Sequence, residues 1–130
     1  MKITLLGTGT SSGVPVLGCN CEVCCSNNPK DKRFRSAAMI ETEKTRILID
    51  AGPDIRMQLL REPFRKLDGV LITHIHYDHV GGIGSLPIYS DPIPLIACPD
   101  VFNERGYFLP LLPRRYNLYR LSGDLDPRQL

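Results

Sequence analysis

Residues 69–82, GVLITHIHYDHVGG, contain the stretch that decides the fold of this chain. The stretch begins as a buried β-strand and continues into His74, His76, Asp78 and His79, which include all 3 histidines of the chain. Because alternate residues of a strand point to the same face, His74 and His76 can bind one metal ion. After the following turn, Asp78 and His79 can reach a second ion. The spacing therefore predicts a two-metal centre at the end of a strand.

A pair of divalent ions in this histidine loop (residues 73–79) would supply hydrolytic chemistry. Two adjacent ions can share a hydroxide, lower its pKa and neutralise the oxygens of a phosphoryl or acyl group. Gly81 and Gly82 would leave space for substrate close to the backbone. The alternative is a polar loop whose histidines only cap a helix or form hydrogen bonds. Four ligating residues in this order favour the metal centre.

The histidine loop resembles the HxHxDH signature of the metallo-β-lactamase superfamily. The resemblance implies an αββα sandwich in which His74, His76, Asp78 and His79 bind two divalent ions. It also implies a catalytic role for Asp78. Mixed imidazole and carboxylate ligands suit both Zn²⁺ and Mn²⁺, so the metal stays open.

A second motif lies upstream, where residues 48–52, LIDAG, resemble the first motif of that superfamily, a strand ending in Asp-x-Gly. By this resemblance Asp50 is not a metal ligand but a partner that orients the histidine loop. The alternative is that Asp50 is only a turn residue before Gly52.

The cysteines predict a separate metal site. Cys19, Cys21 and Cys24 form a CxCxxC cluster, a spacing that in a reducing compartment favours metal binding over disulfides. Three thiolates can bind a tetrahedral zinc ion if one more ligand completes the site. Cys25 is a poor fourth ligand because it points away from its neighbour Cys24. We therefore predict a structural zinc site, with a set of small buried thiols as the alternative.

The start of the chain narrows the resemblance to one subgroup. Residues 7–10, GTGT, 13–16, GVPV, and 18–21, GCNC, resemble the PhnP-type phosphodiesterases of phosphonate breakdown. Those enzymes hold a structural zinc on the three cysteines and a distant histidine, and they hydrolyse phosphoribosyl cyclic phosphate. The resemblance implies a phosphodiesterase for a small phosphorylated or cyclic-phosphate compound.

Other functions stay open beside that one. PqqB-type proteins share the cysteines but have a degraded histidine motif, so the intact motif argues against them. Transfer-RNA 3′-processing nucleases share the histidine loop but not the cysteines. A nuclease of that type and a non-catalytic zinc-binding module are the alternatives to the phosphodiesterase.

Strand and helix patterns place these motifs in an α/β (α+β) chain. Strands are predicted at 2–6, 36–41, 45–50, 69–73 and 94–98, with alternation again over 116–121. A helix is predicted over 54–61, with short helices after the histidines and after residue 100. The resemblance makes this the first half of the αββα sandwich, with a mixed sheet and helices on one face.

The second half of such a sandwich is expected to be absent from residues 1–130. No histidine follows His79, and 130 residues are about half of what two such halves need. The remaining carboxylates match no context for a bridging ligand: Asp91, Asp100, Asp124 and Asp126. We therefore expect an N-terminal half, inactive alone, whose uncovered apolar sheet face favours a homodimer.

Composition adds expectations about partners and location. The chain is 42% hydrophobic and 23% charged, and its net charge of +2 gives no reason to expect a nucleic-acid partner. No apolar run is long enough to cross a bilayer, and the N-terminus lacks the features of a signal peptide. We expect a cytoplasmic protein with a small phosphorylated substrate and no membrane partner.

Overall fold

One mixed sheet organises the chain, and the computed structural model describes residues 1–86 and 93–97 and the backbone of 116–120. Six strands lie in the sheet in sequence order. They are β1 (Lys2–Gly7), β2 (Ala37–Glu41), β3 (Arg46–Ile49), β4 (Gly69–Ile72), β5 (Ile93–Ala97) and β6 (Tyr116–Arg120). The first three pair antiparallel, and the pairs from β3 to β6 are parallel. The predicted mixed sheet is confirmed.

The helices are short. They are α1 (Glu22–Cys25), α2 (Ile55–Leu59) and α3 (Tyr77–Val80), with 3-10 turns at Pro29–Asp31 and Ile83–Ser85. The prediction of a helix over 54–61 was too long, because the N–H groups of Arg61 and Glu62 bond to carbonyls three residues back, so the α-helical pattern ends before them. The helix predicted after residue 100 lies outside the described residues. Among the residues described, no helix is long and apolar enough to span a membrane.

The hydrophobic core lies on one face of the sheet. Parallel neighbours such as β3 and β4 must be joined by a crossover connection. Such crossovers are almost always right-handed, so successive crossovers in one direction along the sheet place their helices on the same face of the sheet. Accordingly, Ile55 of α2 and Val80 of α3 are buried in one cluster with Met39, Leu48 and Val70 of the sheet. The predicted placement of helices on one face is confirmed.

The opposite face of the sheet is apolar and partly open. On β1, Leu6 points into the core, so Ile3 and Leu5 point to the other face. Their exposed fractions are 59% and 68%. An apolar face of this kind agrees with the expectation of an uncovered sheet, and the homodimer stays a prediction.

Three loops meet at one edge of the sheet. Gly7, the last residue of β1, pairs with Ala37 at the start of β2, and the next residue, Ala38, pairs with Ile49 at the end of β3. Ile49 in turn pairs with Leu71 near the end of β4. The loops that follow β1, β3 and β4 therefore leave the sheet side by side, as the carboxyl ends of parallel strands do.

The loop after β3 holds α3 by close backbone contacts. The Ala51 N–H donates to the carbonyl of His79 (2.7 Å), and the Gly82 N–H donates to the carbonyl of Ala51 (2.8 Å). A Cβ on Gly52 would overlap the carbonyl oxygen of Asp78, and one on Gly82 would overlap the carbonyl oxygen of Gly52. Glycine is required at both positions because the two backbones touch, so the expectation that Gly82 leaves space for substrate was wrong.

Replacing Gly52 by alanine tests this contact. The new methyl group meets backbone rather than a flexible side chain, so α3 must move. We expect Gly52→Ala to lower the free energy of unfolding by about 1–3 kcal/mol, the usual cost of overpacking. Urea unfolding measures it. Gly84→Ala is the control, since a Cβ there meets nothing within 4 Å. Equal unfolding midpoints for the two variants would contradict the close packing.

Candidate metal centre

The histidine loop brings its imidazole rings together at the end of β4. The ring centroids of His74 and His79 lie 4.0 Å apart, and those of His74 and His76 lie 4.7 Å apart. His74 and His79 are half-buried, and His76 is exposed. The predicted alternation of His74 and His76 therefore leaves both rings beside each other, with one side open to solvent.

Asp50 lies beneath this loop. Its backbone is in the left-handed region with φ of 61°, which Asp and Asn adopt more readily than other non-glycine residues. Its side chain is 7% exposed, and the carboxylate oxygen Oδ2 lies 2.7 Å from Nδ1 of His79. Both properties considered for Asp50 are thus present together, the turn conformation and a contact to the histidine loop. Its role in orienting that loop stays a prediction.

The contact with Asp50 determines which nitrogen of His79 faces outward. An ionised carboxylate only accepts hydrogen bonds, so Nδ1 carries the proton and donates to it. Nε2 is then left with its lone pair for a metal ion, as in the usual carboxylate–histidine–metal arrangement. That nitrogen lies 3.3 Å from Oδ2 of Asp78. Asp78 and His79 therefore place an oxygen and a nitrogen close together, and their sharing of one ion stays a prediction.

Thr73 is a functional candidate that the sequence argument missed. Its N–H donates to Oδ1 of Asp50 (2.8 Å), and its hydroxyl lies 2.8 Å from Oδ2 of the same carboxylate. The hydroxyl also lies 3.0 Å from Nδ1 of His74. Thr73 thus connects Asp50 to a second predicted ligand. The available signal was its position, a hydroxyl residue directly before the first histidine of the motif.

The donor types of the histidine loop fit divalent ions. Imidazole and carboxylate ligands in this arrangement suit Zn²⁺ or Mn²⁺. The carboxylates considered for a bridging ligand, those of Asp91, Asp100, Asp124 and Asp126, lie outside the described part of the chain. Cys98 lies outside it as well. The assignment of His74, His76, Asp78 and His79 as ligands stays a prediction that this geometry fits.

The cysteine cluster is built around the one-turn helix α1. The sulfur atoms of Cys19, Cys21 and Cys24 all lie within 4.8 Å of one another, close enough to hold a single metal ion. Tetrahedral zinc with Zn–S bonds of about 2.3 Å needs sulfurs slightly closer than that. Cys25 is exposed and, within the described residues, is not a member of this group. The structure brings the three predicted ligands together.

Hydrogen bonds around the sulfurs act differently on two of the thiols. The pKa of Cys21 is lowered, first by the backbone N–H of Cys24 and then by the thiols of Cys19 and Cys24. The pKa of Cys24 is raised. The Val16 N–H, 3.4 Å away, lowers it, but the Cys19 thiol, desolvation and the Cys21 thiol together outweigh that donor. Cys21 is therefore the thiol of the pair that more readily becomes the thiolate a metal needs.

Several known proteins resemble this chain in sequence. The sequence profile of the family described as anti-Pycsar protein Apyc1 matches residues 1–91. An octanoyltransferase of Porphyromonas gingivalis is 52% identical over 87 residues, which are 66% of this chain and 18% of that protein. A ribonuclease Z of Bradyrhizobium diazoefficiens is 47% identical over 60 residues, 45% of this chain and 20% of that protein.

A solved structure extends the likeness over almost the whole chain. It is a diphosphatase from the PhnP family, 34% identical with a TM-score of 0.85, and the match covers 94% of this chain and 50% of that one. The chain thus spans half the length of this structure and about a fifth of the two curated relatives. The expected resemblance to the PhnP group is confirmed. The chain has the metallo-β-lactamase fold and belongs to the family described as anti-Pycsar protein Apyc1.

Proposed function

We propose that the chain is part of a metal-dependent hydrolase, and more narrowly of a phosphodiesterase for a small phosphorylated or cyclic-phosphate compound. The observation that carries the proposal is the contact of 2.7 Å between the buried Asp50 carboxylate and Nδ1 of His79. A buried carboxylate that fixes the tautomer and orientation of a histidine is typical of a metal ligand. A histidine that only caps a helix needs no such partner.

His74 and His76 would hold one divalent ion, and Asp78 and His79 a second. When bound, such ions lower the pKa of a water molecule and neutralise charge on phosphoryl oxygens. The protein's own contribution is orientation. Asp50 keeps Nε2 of His79 directed outward, and the touching backbones of Gly52 and Asp78 hold α3 against the sheet. The reacting phosphorus would then meet ligands that need little rearrangement.

The substrate class is supported by two relatives. The solved structure that matches 94% of this chain is described as a diphosphatase, and one curated relative as a ribonuclease Z. A diphosphatase and a ribonuclease both cleave a bond to phosphorus. The ribonuclease also favours a second candidate, a nuclease. The net charge of +2 supports a small substrate over a polynucleotide.

We further propose that residues 1–130 form the N-terminal half of the catalytic domain. Two protein ligands for each ion are one fewer than a catalytic zinc site usually has. The chain spans half the length of its structural relative, which supports the proposal that the remaining ligands lie outside residues 1–130. On this account the 130-residue chain alone is inactive.

The proposal is tested by hydrolysis of an aryl phosphodiester with added Mn²⁺, using the extended gene product. We expect turnover, and a loss of at least about a hundredfold in kcat/KM for Asp78→Ala, because a displaced ligand misplaces the reacting groups. Glu43→Ala is the control, since Glu43 is exposed in the β2–β3 turn at the opposite edge of the sheet. The 130-residue chain should show no turnover.

Two results would count against this account. Full activity of Asp78→Ala would remove the residue from the metal centre, and full activity of the short chain would show that residues 1–130 suffice. A structured RNA offered in the same assay separates the two candidates. Cleavage of RNA but not of the small diester would favour the nuclease.

The cysteine cluster, we propose, holds a structural zinc apart from this centre. Its three thiol sulfurs already lie close together on α1 and the preceding turn. Thiolates bind zinc in preference to harder ions, whereas the histidine loop suits either metal. A fourth ligand from outside the described residues would complete the tetrahedron.

A serine in place of Cys21 should remove that zinc. We expect Cys21→Ser to lose about one equivalent of bound zinc and to lower the melting temperature, because structural zinc contributes folding energy directly. Cys25→Ser should keep both, since Cys25 is exposed and is not one of the three grouped thiols. Elemental analysis and thermal unfolding measure the two effects. Zinc content that falls equally in both variants, or in neither, would refute the assignment.

A further inference from the structure

The loop that follows β1 carries polar side chains that the metal centre does not use. In this hydroxyl loop (residues 8–13) the residues Thr8, Thr10, Ser11 and Ser12 are all exposed. The hydroxyls of Thr10 and Ser12 lie 3.1 Å apart, so they point to the same place. Four of the five residues at positions 8–12 therefore carry an exposed hydroxyl.

The backbone of the hydroxyl loop is held firmly by the segment 33–36. The Gly9 N–H donates to the carbonyl of Phe34 (2.7 Å), and the Ser36 hydroxyl donates to the carbonyl of Gly9 (3.2 Å). Arg35 Nε donates to the carbonyl of Ser11 (2.8 Å). With its backbone groups bound on the inner side, the loop presents its hydroxyls to solvent in a fixed arrangement. Binding groups on rigidly held loops are typical of functional sites.

Two arginines flank this loop and differ in how their charge is used. The Arg35 guanidinium is neutralised by Asp54, with Nη1 2.9 Å from Oδ1. Arg33 is exposed, and its Nη1 donates weakly to the carbonyl of Thr8 (3.5 Å). Within the described residues Arg33 makes no ion pair, so most of its five N–H donors stay available beside the hydroxyls. The hydroxyl loop itself contains no acidic residue.

We propose that the hydroxyl loop and Arg33 bind an oxyanion of the phosphate type, carried by the substrate away from the bond that is cleaved. This inference rests on the proposed function for the identity of the substrate, but not for the binding itself. Guanidinium and hydroxyl donors are the groups that bind phosphate oxygens in proteins. The loop leaves the same edge of the sheet as the histidine loop, three strands away. Strand spacing places the two roughly 14 Å apart, so the substrate would be an extended molecule.

The binding step is tested with inorganic phosphate by NMR. The titration uses the double variant His74→Ala, His76→Ala. The double variant reduces binding of metal ions at the histidine loop, so less phosphate binds there through a metal. We expect saturable amide shifts concentrated at residues 8–13, and at least a tenfold weaker Kd when Arg33→Ala is added. Lys32→Ala is the matched control, because it removes one exposed positive charge from the adjacent position and should change Kd less than threefold.

Three results would overturn the site. They are the absence of saturation, shifts scattered over the surface, and equal weakening by Arg33→Ala and Lys32→Ala. A well-dispersed spectrum of Arg33→Ala shows that the variant is folded. Ser12→Ala provides a second variant that removes one hydroxyl and no charge, and it should weaken binding by a smaller factor.

An activity measurement on the metal-loaded extended gene product links the site to catalysis. Two aryl phosphodiesters are compared. In both, the phosphorus carries an aryl group and an alkyl chain, and in one of them the alkyl chain ends in a phosphate monoester. We expect Arg33→Ala to raise KM at least tenfold for the first and to leave kcat of both nearly unchanged. Equal effects on both diesters would overturn the substrate role. No hydrolysis of either would refute the proposed function, while phosphate binding measured by NMR would still stand.

Discussion

The buried carboxylate of Asp50 is the group on which the rest of the site depends. A carboxylate in the interior is costly unless donors surround it, and here the Thr73 N–H, the Thr73 hydroxyl and His79 Nδ1 supply them. These contacts join the end of β3 to the loop after β4. The same carboxylate therefore contacts both segments, and we propose that it orients His79, a predicted metal ligand. We therefore expect that removing its charge weakens metal binding at the histidine loop more than it destabilises the sheet.

The sheet topology explains why the functional loops are neighbours. β1, β3 and β4 run in one direction, so their carboxyl ends lie at one edge, and the histidine loop, the Asp50 turn and the hydroxyl loop all begin there. Contacts between backbones then fix their distances. Gly52 meets the carbonyl of Asp78, and Gly7 would clash with the carbonyl of Arg35 if it carried a Cβ. Short helices suffice because the loops pack directly on each other.

The sequence predicted the periodic and the locally spaced features. Apolar patterns predicted the first five strands within one residue at each end, and the alternation noted over 116–121 coincides with β6. The CxCxxC spacing predicted thiols that do lie together, because they are close in sequence. Contacts between distant segments were harder to foresee. The hydrogen bonds from Thr73 to Asp50 and the ion pair of Arg35 with Asp54 join residues 23 and 19 positions apart, and no local pattern marks them.

The most direct test of this account is Mn²⁺ affinity after Asp50→Asn, measured by titration with electron paramagnetic resonance detection. Manganese favours the histidine loop over the thiolates. Asparagine adopts left-handed backbone readily, so the turn at φ of 61° is retained while the carboxylate charge that fixes His79 is lost. We predict a Mn²⁺ affinity about 10–100-fold weaker, the usual cost of removing such a partner, with Glu43→Gln at the far sheet edge unchanged. An Asp50→Asn affinity within twofold of the original would contradict the claim that this carboxylate organises the metal centre.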